Sequence, residues 1–212
     1  MKLLCPACGG EVAFKSKWSV FGVCPYCASM LVRRDLDVEN LGKQSAMPAD
    51  FSPLQLGTRG RIESASFELV GRLKIGWVDG NWNEWYAAFD DGRDGWISDA
   101  EGLFTLSFQK RDVSRTPGVS DFKAGDQITL LGKTFEVSDI KQVTCLATEG
   151  ELPFASRAGR KSTSIDLHGS DDTFCTLDFG DDEKSEPPII YLGTSREFED
   201  FQFNHLREFD GW

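Results

Sequence analysis

The sequence lacks any long hydrophobic run. No apolar stretch approaches the roughly 18 consecutive residues of a membrane-spanning helix, and Met1 to Cys5 carry no apolar segment typical of a secretory signal. These absences predict a cytoplasmic protein with no direct membrane insertion. Hydrophobic residues nevertheless make up 40% of the 212 residues, which is typical of a globular protein rather than a disordered one.

Basic residues are also scarce. Lysine and arginine together number 23 against 34 aspartates and glutamates, which gives a formal net charge of −11. An acidic surface of this size repels phosphate backbones. The composition therefore predicts no nucleic-acid partner and favours a protein partner or a small ligand.

The residues of common catalytic machinery are sparse as well. The chain has two histidines, His168 and His205, far apart in sequence, and it carries no Gly-rich phosphate-binding motif. Cys145 and Cys175 stand in apolar strand contexts, which favours buried, unreactive thiols. We therefore expect no enzymatic activity, and the sequence nominates no catalytic residue.

Cysteines, in contrast, are concentrated at the N-terminus. Two Cys-x-x-Cys knuckles are separated by fifteen residues and contain Cys5, Cys8, Cys24 and Cys27. This spacing is typical of a structural zinc site, in which four protein thiolates leave no open coordination position. It predicts a zinc ribbon that holds one structural Zn²⁺ per chain. Two disulfides or a rubredoxin-like iron site are the alternatives, and a cytoplasmic location argues against the disulfides.

The rest of the chain predicts an all-β, mainly antiparallel protein. Short apolar stretches with alternating polarity are separated by Gly turns every eight to twelve residues. We predict a zinc ribbon at 1–34 and a linker at 35–52. Two similar small β-barrel or sandwich domains follow, at 53–112 and 119–212.

The similarity of the two domains rests on an internal echo. Gly57 precedes Phe67 by ten residues, and Gly125 precedes Phe135 by the same interval. We therefore expect Phe67 and Phe135 to occupy equivalent core positions. A second echo pairs Phe89 with Phe179, because each ends an apolar stretch that leads into an acidic turn.

Aromatic residues cluster in the first of these domains. Aromatic faces beside carboxylates attract cations, so this cluster is a candidate binding groove for a peptide, a sugar or a cation such as a polyamine. Packing in the core of a small β-domain is the alternative, with one or two rings left exposed. Trp85 and Tyr86 are adjacent and must point to opposite faces of one strand. The candidate residues are Trp82, Glu84, Trp85, Tyr86 and Trp96.

The segment from Asp90 to Glu101 resembles a calcium-binding loop. It fails at the third position, where Gly92 replaces a carboxylate or amide ligand. The flanking residues also have the alternation of strands rather than the periodicity of helices. We therefore predict a β-turn followed by a strand that carries Trp96, and no calcium site.

Several blocks of the sequence resemble the bacterial family called domain of unknown function 4178. The most specific block is Trp82-Asn83-Glu84-Trp85-Tyr86, and the other blocks are Leu56–Gly60, Gly71–Arg72, Gly95–Ser98 and Gly150–Pro153. The resemblance implies tandem β-domains behind a four-cysteine ribbon. The genes of such proteins lie near those for polyamine synthesis and for phage-shock membrane-stress proteins, which implies an accessory role in envelope stress. The family has no established activity, so no catalytic residue carries over.

Together these observations lead to two functional hypotheses. The first is a non-enzymatic zinc-ribbon adaptor that binds another protein, accessory to an envelope-stress or polyamine-linked system. The second is a binding protein for a small, cationic, polyamine-like ligand, held by the aromatic cluster. A concave acidic pocket with accessible tryptophans favours the second hypothesis, whereas a flat apolar patch beside the ribbon favours the first.

Overall fold

The computed structural model describes residues 2–34, 37–111, 118–180 and 187–209. Fifteen strands are described, all paired antiparallel, so the all-β prediction is confirmed. The N-terminal region contains β1 (Lys2–Leu4), β2 (Glu11–Ala13), β3 (Phe21–Val23), β4 (Ser29–Arg34) and β5 (Asp37–Lys43). The middle region contains β6 (Arg59–Ile62), β7 (Ala65–Trp77), β8 (Gly80–Phe89), β9 (Asp94–Ala100) and β10 (Leu103–Lys110). The last region contains β11 (Gln127–Leu130), β12 (Lys133–Leu152), β13 (Lys161–His168), β14 (Thr173–Phe179) and β15 (Ile189–Arg196).

Eight of the described strands form a closed ring. The order around the ring is β7, β8, β9, β10, β15, β14, β13 and β12, and β12 pairs back with β7. Because a closed sheet has no free edge, every strand of the ring is hydrogen-bonded on both sides. The two predicted β-domains therefore share one sheet through the β7–β12 and β10–β15 pairings. Their boundaries, 53–112 and 119–212, stay predictions.

The ring consists of two meanders with the same strand order. In the first half, β6 to β10, the N–H of Gly57 donates to Leu69 O at 2.9 Å. In the second half, β11 to β15, the N–H of Gly125 donates to Val137 O at 2.8 Å. A β-bulge follows Leu69 in one half and Val137 in the other. Whether the halves are tandem copies of one unit stays a prediction, but their local geometry corresponds residue by residue.

The strand register extends this correspondence across the ring. Leu69 pairs with Ala87 and Val137 pairs with Leu167, so Ala87 and Leu167 are equivalent. By the same counting, Phe108 of β10 is equivalent to Leu192 of β15. These two residues pair directly with each other. An approximate two-fold axis therefore passes through the β10–β15 seam.

The two echoes from the sequence have different outcomes. Phe67 is 4% exposed and Phe135 is 1% exposed. Each lies in the apolar cluster on the outer face of its half of the ring, called the outer core below, as expected from the first echo. The second echo is wrong, because Phe89 ends β8 whereas Phe179 ends β14, which is the counterpart of β9. An aromatic residue before an acidic turn is typical of any strand that enters solvent, so this pattern carried no positional information.

Ring closure depends on two facing glycines. Gly71 of β7 pairs with Gly150 of β12, where the two halves meet. A Cβ atom on Gly71 would lie 1.6 Å from the carbonyl oxygen of Glu151. Gly150 also has a φ of +68°, which L side chains rarely adopt. Both strands can approach this closely only because neither residue has a side chain.

The predicted linker at 35–52 is partly a strand. Residues 37–43 form β5, which pairs with β4 at the edge of the ribbon sheet. An edge strand needs few apolar residues, and Val38 is the residue of this strand that packs in the ribbon core. Polarity alone therefore did not distinguish it from a linker. Asp35 and Leu36 lie outside the described residues.

The C-terminal tail returns to the first half of the ring. After β15, a short 3-10 turn at Phe198–Phe201 leads to Phe203, and these aromatic residues pack with Phe67 and Phe104. Asn204 forms an isolated bridge with Arg59 of β6. The helical and strand spacings of this segment overlap in the sequence because the chain passes from a turn into an extended stretch.

Candidate functional site

The first candidate site is the four-cysteine cluster of the ribbon. All four sulfur atoms lie within 4.8 Å of one another, and these residues could hold a metal ion. The Sγ atoms of Cys5 and Cys27 are 3.8 Å apart, and those of Cys8 and Cys24 are 3.7 Å apart. A tetrahedral ion with metal–sulfur bonds of about 2.3 Å places its sulfurs about 3.8 Å apart. The donor set and its spacing therefore fit a tetrahedral thiolate site.

Each knuckle closes in the same way. The N–H of Gly9 donates to Cys5 O at 2.8 Å, and the N–H of Ala28 donates to Cys24 O at 2.9 Å. Both donors have a positive φ, +74° for Gly9 and +54° for Ala28. This left-handed residue turns the chain back after the second cysteine, so that both sulfurs of a knuckle point to one centre.

The ribbon packs directly on the ring. Its strand β3 pairs with the end of β12, and the Glu151 carboxylate accepts hydrogen bonds from the backbone N–H groups of Lys15 and Ser16 at 2.8 to 3.2 Å. Phe21 and Met30 of the ribbon belong to the same buried cluster as Tyr86 of the ring. The metal-binding segment is therefore part of the main structure, and it covers one end of the ring interior.

The second candidate site is a cavity of about 110 Å³ inside the ring. All eight ring strands contribute side chains to its lining, together with the loop between β12 and β13. Five aromatic rings and a set of polar groups face this space. The aromatic residues are Trp82, Trp96, Phe154, Phe174 and Tyr191. The ring interior is thus neither a solid apolar core nor an open channel.

Glu84 is the carboxylate of this cavity in the first half of the ring. Trp82 Nε1 donates to its Oε1 at 2.6 Å, and Ser98 Oγ donates to its Oε2 at 2.7 Å. Burial raises the pKa of Glu84 to about 7, although these two hydrogen bonds oppose the shift, and the charges of Asp166 and Asp99 raise it further. Glu84 is therefore held in place by neutral donors and exchanges its proton near neutral pH.

The second half supplies a different arrangement. Asp178 of β14 pairs in register with Ser164 of β13, and both residues line the cavity. Arg160, from the loop before β13, places its Nη2 3.9 Å from Asp178 Oδ2. The carboxylate of this half is thus matched by a guanidinium of the protein itself.

The five residues of the predicted aromatic cluster separate into three positions. Trp82, Glu84 and Trp96 line the cavity. Trp85 lies on the opposite face of β8, fully buried in the outer core of the first half. Tyr86 is buried where the ribbon packs on the ring. Its hydroxyl donates to Asp94 at 3.0 Å. The expected opposition of Trp85 and Tyr86 agrees with this arrangement.

Sequence reasoning missed the contribution of the second half to the cavity. Ser162 and Ser164 of β13 line the cavity, whereas Ile165 and Leu167 of the same strand belong to the apolar core of the second half. Alternation along a strand predicts two faces but does not show that the polar face meets the interior of a ring. Arg160, in the loop before β13, was also not among the predicted site residues, and it lies beside Asp178 of β14.

The calcium-like segment is a turn and a strand. The N–H of Phe89 donates to Arg93 O at 3.0 Å across the turn, and β9 then carries Trp96 into the cavity. Asp91 binds the side chain of Arg93 at 2.7 Å, while Asp94 accepts from Tyr86. The carboxylates are committed to different local contacts, in agreement with the predicted turn and strand.

Comparison with known families gives one match. The family described as domain of unknown function DUF4178 matches residues 55–196, which is more than half of the chain. The chain belongs to the DUF4178 family. No curated protein and no solved structure matches it.

The family match has a structural meaning. In this DUF4178 protein, residues 55–196 include every strand of the closed ring and all residues that line the cavity. The four cysteines lie before the matched region. The cavity therefore lies in the region that the family match covers, whereas the four-cysteine cluster lies before it. In the described residues, no helix is long and apolar enough to cross a membrane.

Proposed function

We propose that this DUF4178 protein is a non-enzymatic binding protein whose ring cavity takes a small organic cation. The observation that carries the proposal is the position of Glu84. Its carboxylate faces the cavity with two neutral donors, and in the described part of the chain no lysine, arginine or histidine forms an ion pair with it. A buried carboxylate without a counterion is costly, so a cationic ligand that supplies one gains a large electrostatic stabilisation.

The aromatic lining supports the same ligand class. Trp82, Trp96, Phe174 and Tyr191 surround the space that Glu84 faces. The faces of such rings attract ammonium groups, and their apolar area accommodates a short alkyl chain. A cavity of about 110 Å³ is slightly smaller than one of about 150 Å³ that holds benzene, so the ligand is a small amine rather than a long polyamine.

Calorimetric titration with butylamine, which is an ammonium ion near neutral pH, tests this proposal. We expect saturable binding to the full chain, and a loss of at least about tenfold in affinity in Glu84→Gln. Glu136→Gln is the matched control, because Glu136 is exposed on β12 and its carboxylate bonds Gln127 outside the cavity. Equal affinity of the Glu84→Gln variant, or no binding of butylamine to the unchanged chain, would overturn the proposal.

Zinc is the metal we propose for the four-cysteine site. Four thiolates in a closed tetrahedral set are the usual ligands of a structural Zn²⁺, and they leave no position for a substrate. Metal analysis of the purified protein should find about one zinc per chain. Iron with the visible absorption of a tetrathiolate site would contradict this assignment and support the rubredoxin-like alternative.

An adaptor role for the ribbon is a second candidate. It is supported by two exposed apolar side chains beside the knuckles, Leu4 at 68% and Tyr26 at 70% exposure. We propose that this surface binds a protein partner in the cytoplasm, accessory to an envelope-stress or polyamine-linked system. A partner captured by the unchanged chain should be lost with the Leu4→Ala, Tyr26→Ala double variant. It should be retained with Leu103→Ala, which removes an equally exposed leucine from the ring. Capture that is independent of Leu4 and Tyr26 would contradict this role.

A further inference from the structure

Each half of the ring presents to the cavity a serine and a carboxylate that lie on neighbouring strands. In the first half these are Glu84 on β8 and Ser98 on β9, which pair in register. In the second half they are Ser164 on β13 and Asp178 on β14, which also pair in register. The two pairs occupy equivalent positions of the ring, with the carboxylate and the serine exchanged between the strands.

The two carboxylates differ in what neutralises them. Arg160 lies 3.9 Å from Asp178, whereas the hydrogen-bond donors to Glu84 among the described residues are the indole of Trp82 and the hydroxyl of Ser98. Burial raises the pKa of Tyr191, and the charges of both Asp178 and Glu84 raise it further, so both carboxylates act on this one phenol. The charged residues in the described lining of the cavity are thus two carboxylates and one guanidinium.

The backbone of Arg160 is held against β12. The N–H of Cys145 donates to Arg160 O at 2.8 Å, and the N–H of Arg160 donates to Arg157 O at 3.2 Å. From this position the guanidinium of Arg160 reaches Asp178 and lines the cavity. The protein thus supplies a positive charge of its own beside Asp178.

We infer that Arg160 determines the charge of the ligand, so that the cavity accepts a monocation at Glu84 and rejects a dication. This inference rests on the proposed function. The second ammonium of a short diamine would have to approach Asp178, where the guanidinium of Arg160 already lies and repels it. Arg160 acts on the ligand by occupying this carboxylate, which makes it a specificity-determining residue and not a general source of affinity.

Two amines of equal size test the inference. Butylamine and 1,3-diaminopropane have the same number of heavy atoms and differ by one ammonium group. Calorimetric titrations of the full chain near neutral pH should give at least about tenfold tighter binding of butylamine. In Arg160→Met the preference should reverse in favour of the diamine, because the guanidinium that repels the second ammonium is then removed from Asp178.

Three further variants control this experiment. Arg157→Met removes an exposed arginine of the same loop and should keep the preference for butylamine. Arg160→Lys keeps a positive charge at the site and should also keep the preference for butylamine. This variant separates the effect of charge from an effect on folding if Arg160→Met is unstable. The double variant Arg160→Met, Asp178→Asn removes both charges and should again prefer butylamine.

The outcomes distinguish this inference from the proposed function. Failure of both amines to bind the unchanged chain would overturn the proposed function and the inference with it. If butylamine binds through Glu84 but Arg160→Met leaves the ratio of the two affinities unchanged, the inference is wrong and the cation site remains. Tighter binding of the diamine than of butylamine by the unchanged chain would also overturn the inference.

Discussion

The two halves of the ring are alike on the outside and different on the inside. On the outer faces, Phe67 and Phe135 fill equivalent positions in two apolar cores. On the inner faces, the register makes Trp82 of the first half equivalent to Ser162 of the second, and Glu84 equivalent to Ser164. The outer faces of the two halves thus form two similar apolar cores, whereas their inner faces differ and line one cavity.

The cavity follows from this asymmetry. If both halves carried large aromatic residues inside, their rings would compete for the same space around the two-fold axis. If both carried serines, the interior would be wide and filled with water. Trp96 of the first half corresponds to Thr176 of the second, so a large residue in one half has a small equivalent in the other. This combination leaves a small space inside the ring.

Separation of the two halves of the ring should have the largest effect on the free energy of unfolding. Gly71→Ala would place a Cβ atom 1.6 Å from Glu151 O, so β7 and β12 would have to separate. We expect a loss of more than about 4 kcal/mol in the free energy of unfolding, or no folded protein, by chemical denaturation. Gly118→Ala is the control, because its Cβ would meet its nearest neighbour at 3.6 Å and should change stability little. A stable Gly71→Ala variant would contradict the closed ring.

The equivalence of the outer cores predicts matched losses in the two halves. Phe67→Ala and Phe135→Ala should each lower the free energy of unfolding by about 3–5 kcal/mol, because each removes a buried ring. The neighbouring glutamates are the controls. Glu136→Ala should cost little, whereas Glu68→Ala should cost slightly more, because Glu68 forms ion pairs with Lys15 and Arg59. A cost below about 1 kcal/mol for one phenylalanine would break the equivalence.

The difference between the inner faces predicts a pH effect that depends on Glu84. The pKa of Glu84 in the folded chain, about 7, lies above its ordinary value of 4.5. Glu84 therefore binds a proton more tightly in the folded chain, and stability falls as pH rises from about 4.5 to 7. Relative to the unchanged chain, Glu84→Gln should gain roughly 2–3 kcal/mol between pH 5 and pH 8.

Urea unfolding at the two pH values measures this effect. Glu136→Gln, which changes an exposed carboxylate of the second half, should show no such difference. A Glu84→Gln variant with the same pH dependence as the unchanged chain would mean that Glu84 is ionised and solvated as in water. The carboxylates of the two inner faces would then differ less in ionisation than their surroundings indicate.

The sequence by itself determined the four-cysteine cluster. The spacing of Cys5 and Cys8, and of Cys24 and Cys27, fixes two knuckles whose geometry depends on the residues within each turn. The strands were also readable, because alternation along an antiparallel sheet is a local property of neighbouring residues. For the same reason, the equivalence of Phe67 and Phe135 could be predicted from two similar stretches of the chain.

The tertiary structure alone decided which polar residues face a cavity. Along β13 the alternation of Ser164 with apolar neighbours fixes two faces, but it does not tell whether the polar face meets water or the opposite wall of a ring. That depends on the pairing of β7 with β12 and of β10 with β15, which joins residues far apart in the sequence. Only this closure brings Glu84 of the first half and Asp178 of the second to one space.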